Sequence, residues 1–217
     1  MNNRNEPEQA LEEIKQIMNR SSRFVSLSGW SGVAAGICAL AACWLANNKL
    51  KEYNGNDYLV NPNNAGNGFS LQPDHYLLVL GLITFLAALL FAFLFTYLRS
   101  RKTGIPIWSF TARKVMINVA VPMIAGAFLI WRILDFKLYA LIAPACLLFY
   151  GLALINGSKY TLYEVRYLGY LQLTLGIINL VAIGYGLYFC AAGFGILHIL
   201  YGIVMWNKYE RTEKTGA

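Results

Sequence analysis

Charge is what this sequence has least of. Only 13% of its 217 residues are Asp, Glu, Lys or Arg, about half of the roughly 25% usual in a globular domain. Hydrophobic residues make up 57% and aromatics 14%. A soluble chain of this length needs far more charge to cover its surface, and so apolar a chain is not disordered. Catalytic signatures are missing as well: there is no HExxH, no GxSxG, no phosphate-binding glycine loop and no cluster of carboxylates inside an apolar run. The four cysteines, Cys38, Cys43, Cys146 and Cys190, show no CxxC spacing. That removes the basis for a redox motif or metal site, and the chain is no disulfide-stapled secreted module. No catalytic, cofactor-binding or metal-ligating residue is expected.

What the sequence does have is length of apolar run. A helix crossing the hydrocarbon core needs about 20 apolar residues, and the runs are continuous rather than alternating, which excludes a closed barrel. They predict an all-α polytopic membrane bundle of six transmembrane helices in three hairpins. The spans fall at about 24–46, 75–98, 115–134, 138–155, 168–187 and 190–206. The last two come from one uncharged stretch about twice the required length, divided near 188–192. Residues 1–23 form an N-terminal arm, 47–74 an external loop, and 207–217 a tail.

The net charge of +7 has a location. The arm, the second-to-third and fourth-to-fifth connections and the tail together hold 14 basic and seven acidic residues, whereas the opposite side holds four of each. By the positive-inside rule both termini face the cytoplasm. The excess therefore belongs to topology and anionic lipid and not to nucleic acid. Leu40-Ala41-Ala42-Cys43 is similar to a lipoprotein cleavage box, but 23 mostly polar residues precede the run and the run continues past Cys43, so no cleavage is expected. The Asn-x-Ser triplets at Asn19 and Asn156 fall on the cytoplasmic side and are discounted as glycosylation sites.

The soluble parts suggest contacts more than chemistry. Leu11, Ile14 and Met18 recur at helical spacing after Glu6-Pro7-Glu8, so an amphipathic helix over 7–19 is expected, as an interfacial anchor or a docking element. The 28-residue loop over 47–74 contains eight Asn and reads as a solvated connection. Arg99, Arg101, Lys102, Trp108, Arg113 and Lys114 are candidate lipid-headgroup contacts. Tyr160, Tyr163, Tyr167 and Tyr170 share a helical face and suit an aromatic belt.

Within the spans, Ser28, Gly32 and Gly36 form a small-residue face for close helix packing or dimerisation, with packing inside the chain favoured. Asn118, Gln172, Asn179 and His198 are the candidate intramembrane polar site, because each is costly in lipid. Arg132 and Asp135, three apart, are a candidate ion pair. His75 and His198 differ in depth by roughly 12–15 Å at 1.5 Å per residue, too far for two ligands of one haem. Pro122 and Pro144 are placed to kink their spans. Tyr150-Gly151 through Asn156 echoes Tyr201-Gly202 through Asn207, which suggests a hairpin repeat, although apolar sequence also produces such echoes by chance.

Ala10-Leu11-Glu12-Glu13-Ile14 and the stretch from Met18 through Arg20-Ser21-Ser22-Arg23-Phe24-Val25-Ser26-Leu27-Ser28-Gly29 resemble the start of a family of small uncharacterised six-span inner-membrane proteins of Bacteroidota. In that family R-S-x-R-F-x-S-L-S-G leads into a Gly- and Ala-rich first span. The resemblance covers about the first 45 residues. It implies six cytoplasmic-membrane spans and no assigned activity; such proteins are often encoded beside small winged-helix regulators, which suggests a signalling or regulatory role. The expected function is a non-enzymatic sensory, regulatory or scaffolding membrane module. Its expected partners are membrane lipids, a second copy of the chain, or another membrane or cytoplasmic protein. The alternatives are a small permease for a neutral or apolar solute and a membrane-embedded lipid-modifying enzyme.

Overall fold

The computed structural model describes residues 28–51, 73–103 and 108–211. The expected 7–19 helix, most of the 47–74 loop, the 104–107 segment, the last six residues of the tail and most of the stretch carrying the family resemblance lie outside the described residues.

Among the described residues the protein is all-helical, without a strand. The helices are α1 (Gly29–Lys51), α2 (Pro73–Thr103), α3 (Phe110–Asp135), α4 (Ile142–Gly157) and α5 (Tyr163–Val181), followed by α6 (Gly186–Glu210). Short 3-10 turns, Tyr139–Leu141 and Ser158–Tyr160, enter and leave α4. Five of these helical stretches, all but α5, are long and apolar enough to cross a membrane. The protein is thus a helical membrane protein, since a helix is the one open element that satisfies its own backbone in lipid. α5 has 19 residues and is interrupted by Gln172 and Asn179, both buried.

The prolines act differently from one another. Pro144 stands in the first turn of α4, where its missing N–H removes no helical hydrogen bond. Pro122 lies well inside α3 and deprives the Asn118 carbonyl of its partner four residues on. The Asn156 side chain of α4 supplies the replacement, its Nδ2 donating to Asn118 O at 2.9 Å. At the start of α3 the Ser109 hydroxyl caps the helix by accepting from the Ala112 N–H at 3.1 Å.

The turn between α5 and α6 falls at residues 182–185, earlier than the 188–192 expected from sequence. Gly184 takes φ 95° there, a left-handed conformation that glycine enters without a Cβ clash. The flanking residues are equally apolar on both sides, so hydropathy carries no mark of the turn. α6 itself is α-helical at Gly186–Cys190 and His198–Met205, and π-helical at Ala191–Leu197 and Trp206–Glu210.

α1 packs between α2 and α6, α4 packs between α3 and α5, and α6 joins the two groups by touching α4 and α5. Two crossings are built from glycine on both sides. α1 and α6 run antiparallel, and a side-chain carbon at Gly36 would come 2.7 Å from the Gly195 carbonyl oxygen. α4 and α5 cross where carbons at Gly151 and Gly169 would each come 2.9 Å from the other's carbonyl oxygen. Such close approach gives lipid-facing helices dispersion contact that larger side chains would prevent. Leu147 on α4 and Met205 on α6 are fully buried.

Candidate functional site

The most polar place in the interior forms where α4, α5 and α6 meet. Gln172 of α5 is completely buried, and His198 of α6 is 7% exposed. Gln172 Nε2 donates to the Gly193 carbonyl at 2.8 Å, and His198 Nδ1 lies 3.0 Å from the same oxygen. Gly193 sits within the π-helical stretch of α6, a local widening that often accompanies function. A carbonyl cannot donate, so the contact assigns the proton to His198 Nδ1. Nε2 is then an acceptor, and the Tyr150 hydroxyl of α4 donates to it at 2.8 Å. Both donors aim at Gly193 O, so the 3.4 Å separation of Gln172 Nε2 from His198 Nδ1 is a consequence of the shared acceptor. Phe194 covers the group, its ring centroid 5.3 Å from that of Tyr150.

The arrangement is a hydrogen-bond relay running Tyr150 to His198 to Gly193. Protonating the imidazole would reverse the Tyr150 bond, because both ring nitrogens would then donate. Gln172 Oε1 meets no hydrogen-bond partner among the described residues. Exchanging its amide ends would set two oxygens against each other at Gly193, so the orientation is fixed. Tyr150→Phe leaves the buried His198 Nε2 without a donor and is expected to cost about 1–3 kcal/mol. Thermal denaturation in detergent reads this, and an unchanged midpoint would show that the bond contributes nothing.

The other sequence candidates go elsewhere. Asn179 Nδ2 donates to Ala182 O at 3.1 Å and closes the end of α5, while its Oδ1 meets no partner among the described residues. Asn118 Nδ2 donates within α3 to Lys114 O at 2.8 Å. Arg132 and Asp135 pair at 2.6 Å on an exposed surface. His75 is exposed at the start of α2, whereas His198 is buried in α6. The four cysteines are free thiols on α1, α4 and α6, and among the described residues no three His, Cys, Asp or Glu are grouped to hold a metal. Gly32 and Gly36 are covered by α6 of the same chain. Tyr163, Tyr167 and Tyr170 face outward.

A second assembly joins four helices at one end of the bundle. The last, π-helical turn of α6 presents Lys208, Tyr209 and Glu210 in succession. Lys208 Nζ and Tyr209 OH both donate to Glu164 at the start of α5. Glu210 reaches the other way. Its Oε1 accepts from Gly29 N at 2.7 Å, Ser28 Oγ at 3.0 Å and Arg99 Nη1 at 3.0 Å. A carboxylate is well placed at Gly29, where the first turn of α1 leaves N–H groups unpaired. Arg99 is therefore 8% exposed and tied to Glu210. Of the remaining basic candidates, Arg101, Lys102, Arg113 and Lys114 are exposed, as is Trp108. Arg101 covers Tyr97, and Lys114 covers Phe110 and Tyr160.

Partial burial pushes the Glu164 carboxyl up. The hydrogen bonds from Lys208 and Tyr209, with the Lys208 charge, outweigh this and hold it below the usual carboxylate range. Such a group adds stability that is complete above its unfolded pKa of roughly 4.3 and is lost as pH falls through its lower folded value. The wild-type melting midpoint should therefore hold from neutral pH to about 5 and fall below about 4. Glu164→Gln should start lower and show a smaller acid decline; identical acid limbs would remove this role.

Tyr150, Gly193, Glu164 and Glu210 were not among the sequence candidates. The Tyr150-Gly151 echo of Tyr201-Gly202 was the one signal near them. No family model, no curated protein and no solved structure matches the chain.

Proposed function

We propose that this is a six-span inner-membrane protein of three hairpins, with both termini in the cytoplasm. In this reading it works without catalysis, as a sensory, regulatory or scaffolding module that engages a partner through its cytoplasmic face. α5 counts as the sixth span: at 1.5 Å per residue its 19 residues reach about 28 Å, close to the roughly 30 Å hydrocarbon core, with Glu164 and Arg166 at its cytoplasmic end and Gln172 and Asn179 buried. The family resemblance of the 10–29 stretch and the positive-inside count support the same arrangement.

The observation that carries the functional reading is the ionic collar made by Glu164, Lys208, Tyr209, Glu210 and Arg99. It fixes α1, α2, α5 and α6 to one another at the end from which the arm and the tail depart. A rigid platform beside the arm, where the sequence places an amphipathic helix, suits presentation to a partner. The permease reading asks for one cavity joining Asn118, Asn179 and His198, whereas each of these is engaged in a separate local hydrogen bond.

Deleting residues 1–20 and repeating an in-cell crosslinking pull-down tests the proposal. Loss of specific partners with normal membrane insertion is expected. An unchanged set of partners would overturn the role of the arm.

A further inference from the structure

Where α3 passes α4, an open groove of about 340 Å³ is lined by Pro122, Phe149, Leu152, Ile155, Asn156 and Lys159. Its volume is at the lower end of the roughly 300–1,000 Å³ of ligand pockets. Phe149, Leu152, Asn156 and Lys159 follow one another at spacings of three and four, so they line a single face of α4 and its 3-10 extension. The walls are apolar along most of that face and become polar at one end. There Asn156 commits one N–H to Asn118 O and has a second to give. Lys159 is exposed, and no carboxylate pairs with it among the described residues. Lys114 stands at the same end, its ammonium 5.5 Å from the Tyr160 ring centroid.

We propose that this groove is a phospholipid site. It takes one acyl chain of an anionic lipid along Pro122, Phe149, Leu152 and Ile155, with the lipid phosphate against Lys159. Length selects the occupant. From Phe149 to Lys159 the face rises about 15 Å at 1.5 Å per residue, half of the roughly 30 Å hydrocarbon core. That is one leaflet deep, enough for a lipid tail and too short for a partner's spanning helix. Charge selects the headgroup, since the groove ends at cations on the basic side of the bundle. The site rests on the membrane-spanning reading and goes beyond the general headgroup contacts expected of that face, because it pairs a headgroup cation with a shaped tail slot.

The test reconstitutes the full chain in membranes of equal phosphatidylglycerol and phosphatidylcholine, extracts it gently, and counts retained lipids by native mass spectrometry. Wild type should retain one phosphatidylglycerol per chain, with about a fivefold preference over phosphatidylcholine, the factor that one lysine's attraction to anionic lipid supplies. Lys159→Gln should bring the preference close to parity. Leu152→Trp, at a half-exposed position, should fill the slot and release both lipids. Equal retention of the two lipids by wild type overturns the site, as does an unchanged preference in Lys159→Gln or a lipid-free dimer closed over the groove. If Leu152→Trp does not fold, Lys159→Gln decides alone. A chain that needs no membrane or detergent to stay dispersed would instead overturn the spanning reading.

Discussion

Glu210→Ala is expected to lower the stability of the detergent-solubilised protein by about 1–3 kcal/mol, the range for taking the partner from largely buried hydrogen-bonding groups. One carboxylate oxygen there accepts from a backbone N–H, a hydroxyl and a guanidinium, and these belong to the first residues of α1 and the end of α2. Removing the carboxylate takes away one partner of an arginine that is 8% exposed and the cap of a helix. Glu210→Gln keeps an acceptor for Gly29 and Ser28 and should lose less. A Glu210→Ala protein melting within about 0.5 kcal/mol of wild type, the usual range for surface substitutions, would show that the collar is not a stabilising element.

The second large effect is at Gly202. A side-chain carbon there would stand 2.5 Å from the Gly29 carbonyl oxygen and 2.7 Å from the Val33 nitrogen. Both are backbone atoms, so relief requires α1 and α6 to move apart. Gly202→Ala should cost about 1–3 kcal/mol, the usual range for overpacking, and Gly202→Leu should prevent recovery of a monodisperse protein. Gly81 of α2 is the control, since a carbon there meets nothing within 4 Å. Gly81→Ala should be neutral or stabilising by up to about 1 kcal/mol through helix propensity. Size-exclusion chromatography and thermal melting of the three variants would check this. Equal behaviour of Gly202→Ala and Gly81→Ala would mean that α1 and α6 are not in close contact.

The all-helical membrane class was legible because hydropathy is a local property, readable within a window of about 20 residues. The α5–α6 turn was not, because Gly184 stands among several glycines in equally apolar sequence and only one of them takes a positive φ. Arg132 and Asp135 could be paired from spacing alone. Arg99 could not, since its carboxylate lies 111 residues away in the chain and a basic residue near a helix end reads as a headgroup contact. Gln172 and His198 were found individually as polar residues in lipid. Tyr150 escaped because its ring counts as apolar and its hydroxyl becomes decisive only when α4 faces α6. Glu164 and Glu210 escaped because, in a basic segment, acids enter only as deductions from the charge. The gap that Pro122 leaves in α3 was suggested by the proline, but its repair by Asn156 depends on the pairing of two helices.

Ser28 and Glu210 are 182 positions apart and hydrogen-bonded, which sets an order of assembly. A chain synthesised from its N-terminus inserts α1 long before α6 exists. Until then Gly29, Gly32 and Gly36 offer lipid a bare strip on which another helix could settle. The last helix is therefore the latch of the bundle. Chains ending before Gly186 should leave that strip open to a second copy, the less favoured of the two uses that the sequence suggests for this small-residue face.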